Sequence, residues 1–177
     1  MRLYTSAEGK KMNGKILKKG VVVLLLLFCV AGCKEKRVPA EIIISDVTTL
    51  DIAEYEKLKK DNMGKVLVIN VFATWCPPCE TETPDFVKVY NELGGDSFEL
   101  IALSIDTRKR DIISFVNFYG MRYPVYQIKP DLQRRLYADK IPTTLIYRPD
   151  GSFYTSVLGA VSGEDLIYVV NTLKEEQ

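Results

Sequence analysis

The sequence has no histidine, one tryptophan and only four cysteines in 177 residues. Without His, neither a Ser-His-Asp nor a Cys-His nucleophile can be assembled, and His-ligated haem and mixed Cys/His zinc sites are excluded with them. An excess of one charge is also missing. Lys plus Arg number 24 against 23 Asp plus Glu, a formal +1, so there is no basic surplus to lay against nucleic acid. Long apolar runs are scarce. Residues 21 to 30 form one, about half of the roughly 20 residues that a helix needs to cross a hydrocarbon core.

That run follows Lys10, Lys11, Lys15, Lys18 and Lys19 and leads into Ala31-Gly32-Cys33, the three-part layout of an export signal. Val30-Ala31-Gly32-Cys33 resembles a bacterial lipoprotein signal, which implies cleavage before Cys33 and a lipid on its sulfur; the alternative is an uncleaved anchor with an incidental cysteine. Met12 is a second candidate start. The expected layout is a signal peptide over 1–32, a lipid-anchored tether over 33–40 and a folded domain over 41–177. Residues 1–32 hold six of the basic and one of the acidic residues, leaving 18 against 22 and a formal −4. Such a chain has no basic patch for phospholipid headgroups, so its membrane attachment would rest on the acyl chains. Export places the domain outside the cytoplasm, facing the periplasm or cell exterior, where surviving cysteines are paired or redox-active.

Within the domain, Ile42-Ile43-Ile44 suggests a short first strand. Asp51 is placed to cap a helix through Lys60 with Ile52, Tyr55 and Leu58 inward. Val66–Phe72 is a β-branched and apolar stretch apart from Asn70, the pattern of a strand buried on both faces and hence central. A helix beginning around Cys76 carries Phe86, Val89, Tyr90 and Leu93 at helical spacing and stops before Gly94-Gly95. A strand over residues 98 to 105, a helix over 111 to 119, a short strand near Val125 and a helical turn over 131 to 138 follow. Thr143–Tyr147 and Phe153–Leu158 flank Pro149-Asp150-Gly151 as an antiparallel hairpin. A last helix buries Leu166, Val169, Val170 and Leu173. These elements make an α/β domain with a mixed central sheet flanked by helices, large enough to need no disulfide for stability.

One constellation carries chemistry: Trp75-Cys76-Pro77-Pro78-Cys79, where the central strand hands over to its helix. A cysteine at a helix start faces unpaired backbone N–H groups and the positive end of the helix dipole, which favour thiolate. Thiolate is the form that attacks a disulfide. The two-residue spacer brings Cys79 within reach, and proline suits a helix start. A static disulfide is the first alternative, but so short a loop adds little stability. Half of a zinc site is the second, but the remaining cysteines, Cys29 and Cys33, belong to the signal. Redox chemistry needs Cys76 reachable, and no cofactor or metal.

From about Val47 to the C-terminus the sequence resembles the thioredoxin superfamily, and more narrowly its membrane-tethered extracytoplasmic TlpA/ResA branch. Residues 66 to 79 carry the strand and active-site signature. Pro84 falls at the family's helix kink, Ile141-Pro142-Thr143 at its cis-proline loop, and Gly159 before the last helix also has a counterpart. The resemblance implies a thioredoxin fold with an N-terminal extension and an inserted βα unit, residues 98 to 119. It implies catalytic Cys76 and Cys79, supported by Trp75, Pro77, Pro78, Ile141 and Pro142, with the Ile141 backbone left free for an extended substrate. Its partners would be disulfide-containing exported proteins, among them apocytochrome c during cytochrome c maturation, and a transmembrane thiol donor of the DsbD or CcdA type.

Asn70 stands where cytoplasmic thioredoxins carry a buried acid beneath the second cysteine. Glu80, Glu82, Asp85 and Asp106 are the carboxylates to consider instead. A solvated helix or loop position is the expectation for each, and Asp106, at the end of a strand, is the preferred acid-base group. Trp75 is expected both to contact the core and to rim the site. The competing functions are a disulfide oxidase or isomerase and a non-catalytic metal or haem carrier. The copper carriers of the related Sco type use CxxxC and a His, which this chain lacks.

Overall fold

Seven consecutive residues of one strand, all buried, organise the fold. The structure is a computed structural model, described here over residues 43 to 175. The signal peptide, Cys33, the tether and Ile42 lie outside the described residues. In chain order the elements are β1 (Thr49–Leu50), α1 (Ile52–Asp61), β2 (Val66–Phe72), α2 (Pro77–Leu93), β3 (Phe98–Ser104), α3 (Lys109–Tyr119), β4 (Val125–Ile128), α4 (Pro130–Arg135), β5 (Thr143–Tyr147), β6 (Phe153–Leu158) and α5 (Gly163–Glu175). The strands form one mixed sheet ordered β1-β4-β3-β2-β5-β6.

Strand β2 runs parallel to β3 and antiparallel to β5, with Val66 opposite Phe98 and Val71 opposite Thr143. Because side chains alternate along a strand, it feeds two cores. Val66, Val68 and Phe72 pack with Phe86, Val89, Phe115, Leu166 and Val170 of α2, α3 and α5. Leu67, Ile69 and Val71 pack with Tyr55, Leu58 and Leu132 of α1 and α4. Each fully buried aliphatic or aromatic side chain contributes about 1.5–3 kcal/mol, so the two cores hold the sheet without help from a crosslink.

The hairpin, the central strand and the capped first helix are where the sequence puts them. Asp51 caps α1 in a reciprocal box, its carboxylate accepting from the Glu54 amide at 3.0 Å while Glu54 accepts from the Asp51 amide at 2.8 Å. The expected strand at residues 42 to 44 is corrected. Ile43 is 69% exposed, and both backbone groups of Ile44 are taken by the Asn117 side-chain amide rather than by a neighbouring strand. The first strand is instead β1, two residues paired with β4. The βα unit expected as an insertion supplies β3, which pairs with β2 over seven residues, and the sheet ends on β1 at one edge and β6 at the other. No helix among the described residues is long and apolar enough to cross a membrane.

Candidate active site

The parallel β2–β3 pair and the start of β5 bring three loops to one end of the sheet. After Phe72 the chain turns through Ala73, Thr74 and Trp75, and Cys76 becomes the N-cap of α2 with extended backbone, φ −98° and ψ 106°. Cys76 and Cys79 are joined in a disulfide, their Cα atoms 5.3 Å apart. The Cys76 carbonyl accepts the first intrahelical bond, from Glu80 N–H at 3.1 Å.

Two features differ from the sequence expectation. An N-cap side chain takes its hydrogen bonds from the amides of the second and third helical residues. Pro77 and Pro78 occupy the first two helical positions and have no N–H, so of these donors only the Cys79 amide remains. The helix start thus offers the Cys76 sulfur less than an ordinary one. Access is the second difference. In the disulfide form Cys76 shows 3% of its surface and Cys79 1%, so both cysteines are buried in this form and the expected reachable sulfur is not exposed in it. Trp75, Pro77 and Pro78 are exposed. Trp75, at 66% exposure, is a rim residue and not the core contact expected.

The Ile141-Pro142 bond is cis. Pro142 is buried, and the half-buried Ile141 packs against the cluster that contains both cysteines. Among the described residues the Ile141 amide and carbonyl have no hydrogen-bond partner. The loop is fastened from behind by Gly159, whose N–H donates to the Pro142 carbonyl at 2.9 Å. Gly159 has φ +94°, a conformation that a side chain would strain.

Asp106 is buried, not solvated, and both its oxygens are occupied. It accepts from the Thr74 amide at 2.9 Å, the Thr74 hydroxyl at 2.8 Å and the Ser104 hydroxyl at 2.7 Å. The end of β3 thereby clamps the loop before Cys76. This is a bracing position, and it leaves the preferred acid-base group with no oxygen directed at a sulfur.

The buried acid comes from elsewhere. Glu82, also expected to be solvated, is 3% exposed and lies on the buried face of α2 with Cys79, Thr83 and Phe86. Its Oε1 accepts from Asn70 Nδ2 at 2.9 Å and its Oε2 from Val161 N–H at 3.0 Å. Asn70 also donates to the Thr144 hydroxyl at 3.2 Å. Burial pushes the Glu82 carboxyl up to about 7, against the pull of those two donors. The buried Tyr123 phenol is itself pushed up by burial and by the charge of Glu82. Three residues apart on a helix, Cys79 and Glu82 share a face, so a carboxyl able to exchange a proton near neutrality sits one turn from the second sulfur. The sequence does carry a signal for this: 79, 82, 83 and 86 make one apolar-type stripe in which Glu82 interrupts the pattern. Of the other two carboxylates, Glu80 is exposed as expected and Asp85 is half-buried. Asp85 is held low by the Gly163 amide and Lys88, and the Glu80 amide donates to the Cys76 carbonyl.

Comparison with known proteins places this geometry. Residues 44–152 match the AhpC/TSA family, and the chain belongs to it. A thiol-disulfide oxidoreductase ResA of Oceanobacillus iheyensis is 29% identical over 133 residues, 75% of this chain and 66% of that protein. The ResA of Bacillus thuringiensis is 32% identical over 60% of this chain and 62% of its own length. The chain therefore spans somewhat less than two thirds of these relatives. Among solved structures, a thioredoxin-family thiol:disulfide interchange protein from Chlorobium tepidum superposes with TM-score 0.61 at 28% identity, over 66% of this chain and 84% of that one. The fold is the thioredoxin fold.

Proposed function

We propose that the chain is an extracytoplasmic thiol-disulfide oxidoreductase that reduces disulfides in exported proteins, tethered to the membrane by a lipid on Cys33. The observation that carries this reading is the Cys76–Cys79 disulfide at the N-terminus of α2, packed in one cluster with Ile141 of a cis-proline loop whose backbone edge is free. It is supported by relatives that bear the name thiol-disulfide oxidoreductase.

In the reaction, the Cys76 thiolate attacks one sulfur of a client disulfide. A mixed disulfide forms, and the client's other sulfur leaves as thiolate. Glu82 takes the proton from the Cys79 thiol. The Cys79 sulfur then attacks Cys76, releasing the second client thiol and leaving the Cys76–Cys79 disulfide. Two electrons have passed to the client. A transmembrane thiol donor of the DsbD or CcdA type returns them, and apocytochrome c, whose thiols must be free before haem attaches, is the proposed client. Ile141 offers its amide and carbonyl to the client backbone in the manner of strand addition, while Trp75, Pro77, Pro78 and Pro142 shape the approach. Asp106 positions the loop.

The direction of electron flow is tested by the midpoint potential of the Cys76/Cys79 couple against glutathione. A reductase falls toward the roughly −270 mV of thioredoxin. A value near the roughly −120 mV of a strong oxidant such as DsbA overturns the reductive assignment in favour of an oxidase.

A further inference from the structure

Between the residues that flank the Cys76–Cys79 segment in sequence and α3 the surface opens into a groove of about 620 Å³ lined by Thr74, Glu80, Asp111, Phe115, Phe118 and Tyr119. Its floor is a ladder of rings running out from the core. Phe72 packs against Phe115 with centroids 5.4 Å apart, Phe115 against Tyr119 at 4.5 Å, and Tyr119 against Phe118 edge-on at 4.9 Å. Phe118, the outermost ring, is 81% exposed. A large aromatic so exposed, in a groove shared with Thr74 and Glu80 on either side of the reactive pair in sequence, is what a binding surface presents. The groove is tied to the cysteine pair through Glu80, whose amide donates to the Cys76 carbonyl. Its carboxylate has no hydrogen-bond or ion-pair partner among the described residues. Asp111, across the groove, is already held by Arg108 at 2.6 Å and Arg110 at 3.9 Å. The charge the groove has to offer is therefore that of Glu80.

We infer that this groove is the docking site for an extended segment of the client polypeptide, with a Lys or Arg beside the attacked cystine facing Glu80 and an aromatic residue stacked on Phe118 and Tyr119. The inference rests on the oxidoreductase reading above. A client sulfur brought to Cys76 must lay its flanking residues on surrounding surface, and this groove includes Thr74, two residues before Cys76, and Glu80, the residue after Cys79. A cationic residue meets an unpaired carboxylate there, whereas an acidic one meets only repulsion.

The test uses the full-length chain, reduced beforehand, and four oxidised peptides with one identical disulfide loop. The loop is flanked by Lys or Glu and by Phe or Gly, and oxidation is followed through the fluorescence of Trp75, the one tryptophan in the chain. The Lys/Phe peptide is expected to react fastest. From the strength of exposed ion pairs and aromatic contacts, Glu80→Gln should cut the Lys-over-Glu preference about threefold and Phe118→Ala the Phe-over-Gly preference by about the same factor. Glu80→Lys should invert the charge preference, and added salt should flatten it. Both side chains are exposed, so the variants fold. Equal rates on all four peptides, or preferences unchanged in the variants, overturn the groove and leave dithiol exchange standing. Failure of the wild type to be oxidised by any peptide or by hydroxyethyl disulfide overturns the oxidoreductase reading and the groove with it.

Discussion

Asn70 donates from its amide to Oε1 of Glu82 across 2.9 Å, a buried polar bond between the central strand and the active-site helix. The strand contributes a neutral amide and the helix an acid. With Val161 on the other oxygen, Glu82 is fixed on the Cys79 face of α2 and held near neutrality by burial.

Replacing Glu82 by Gln keeps the shape and removes the proton acceptor. General acid–base groups contribute about 10²–10⁴-fold, so the resolving attack by Cys79 should slow by about 10²-fold above pH 7, and the inflection near pH 7 should vanish. Quenched-flow mass spectrometry should then find the mixed disulfide on Cys76 accumulating. An unchanged pH profile excludes Glu82 from proton transfer.

The same carboxyl makes stability depend on pH. Its folded value of about 7 lies above the ordinary 4.5, so between these values the native state binds more protons than the unfolded one and stability falls as pH rises. Below pH 4.5 both states are protonated and the penalty is absent; above pH 7 it is fully present, on the order of 3 kcal/mol. Urea titrations from pH 4 to 8.5 should show this decline in the wild type and a flatter curve in Glu82→Gln.

Asp106 ties β3 to the loop that presents Cys76. Asp106→Ala strands the Thr74 and Ser104 donors in a buried place and should cost about 2–4 kcal/mol. Denaturant unfolding measures the loss. Thr74→Ala, which removes only the hydroxyl bond, should cost less.

The paired prolines limit the donors available to Cys76. Pro78→Ala restores an amide at the second helical position, aimed at the N-cap sulfur. It should stabilise the thiolate and with it the reduced form, raising the midpoint potential by about 10–30 mV, where 29.6 mV is a tenfold change in the equilibrium. A lower potential in Pro78→Ala contradicts this account of the helix start.

Much of this was legible in the chain. Six apolar residues in a stretch of seven, broken only by Asn70, marked β2 because a strand covered on both faces has no polar side. Asp51 with Glu54 marked a capping box, and Pro149-Asp150-Gly151 marked the hairpin. What misled were features decided by tertiary partners. Three isoleucines looked like a strand, yet the Asn117 side chain took the backbone bonds of Ile44. Asp106 stood at a strand end, the usual place for a catalyst, but its oxygens were claimed by Thr74 and Ser104. Glu82 looked solvated among Glu80, Thr81 and Thr83; only its phase with Cys79 and Phe86 betrays it, and the Asn70 amide that receives it is twelve residues away in sequence.

The central claim is that Cys76 is the attacking sulfur, and pulse alkylation of the reduced full-length chain from pH 4 to 10, mapped by mass spectrometry, tests it most directly. Cys76 should be modified with a midpoint below the roughly 8.5 of an ordinary thiol, while Cys79 reacts at least about tenfold more slowly. Cys76 reacting no faster than Cys79, or titrating like a free thiol, contradicts it.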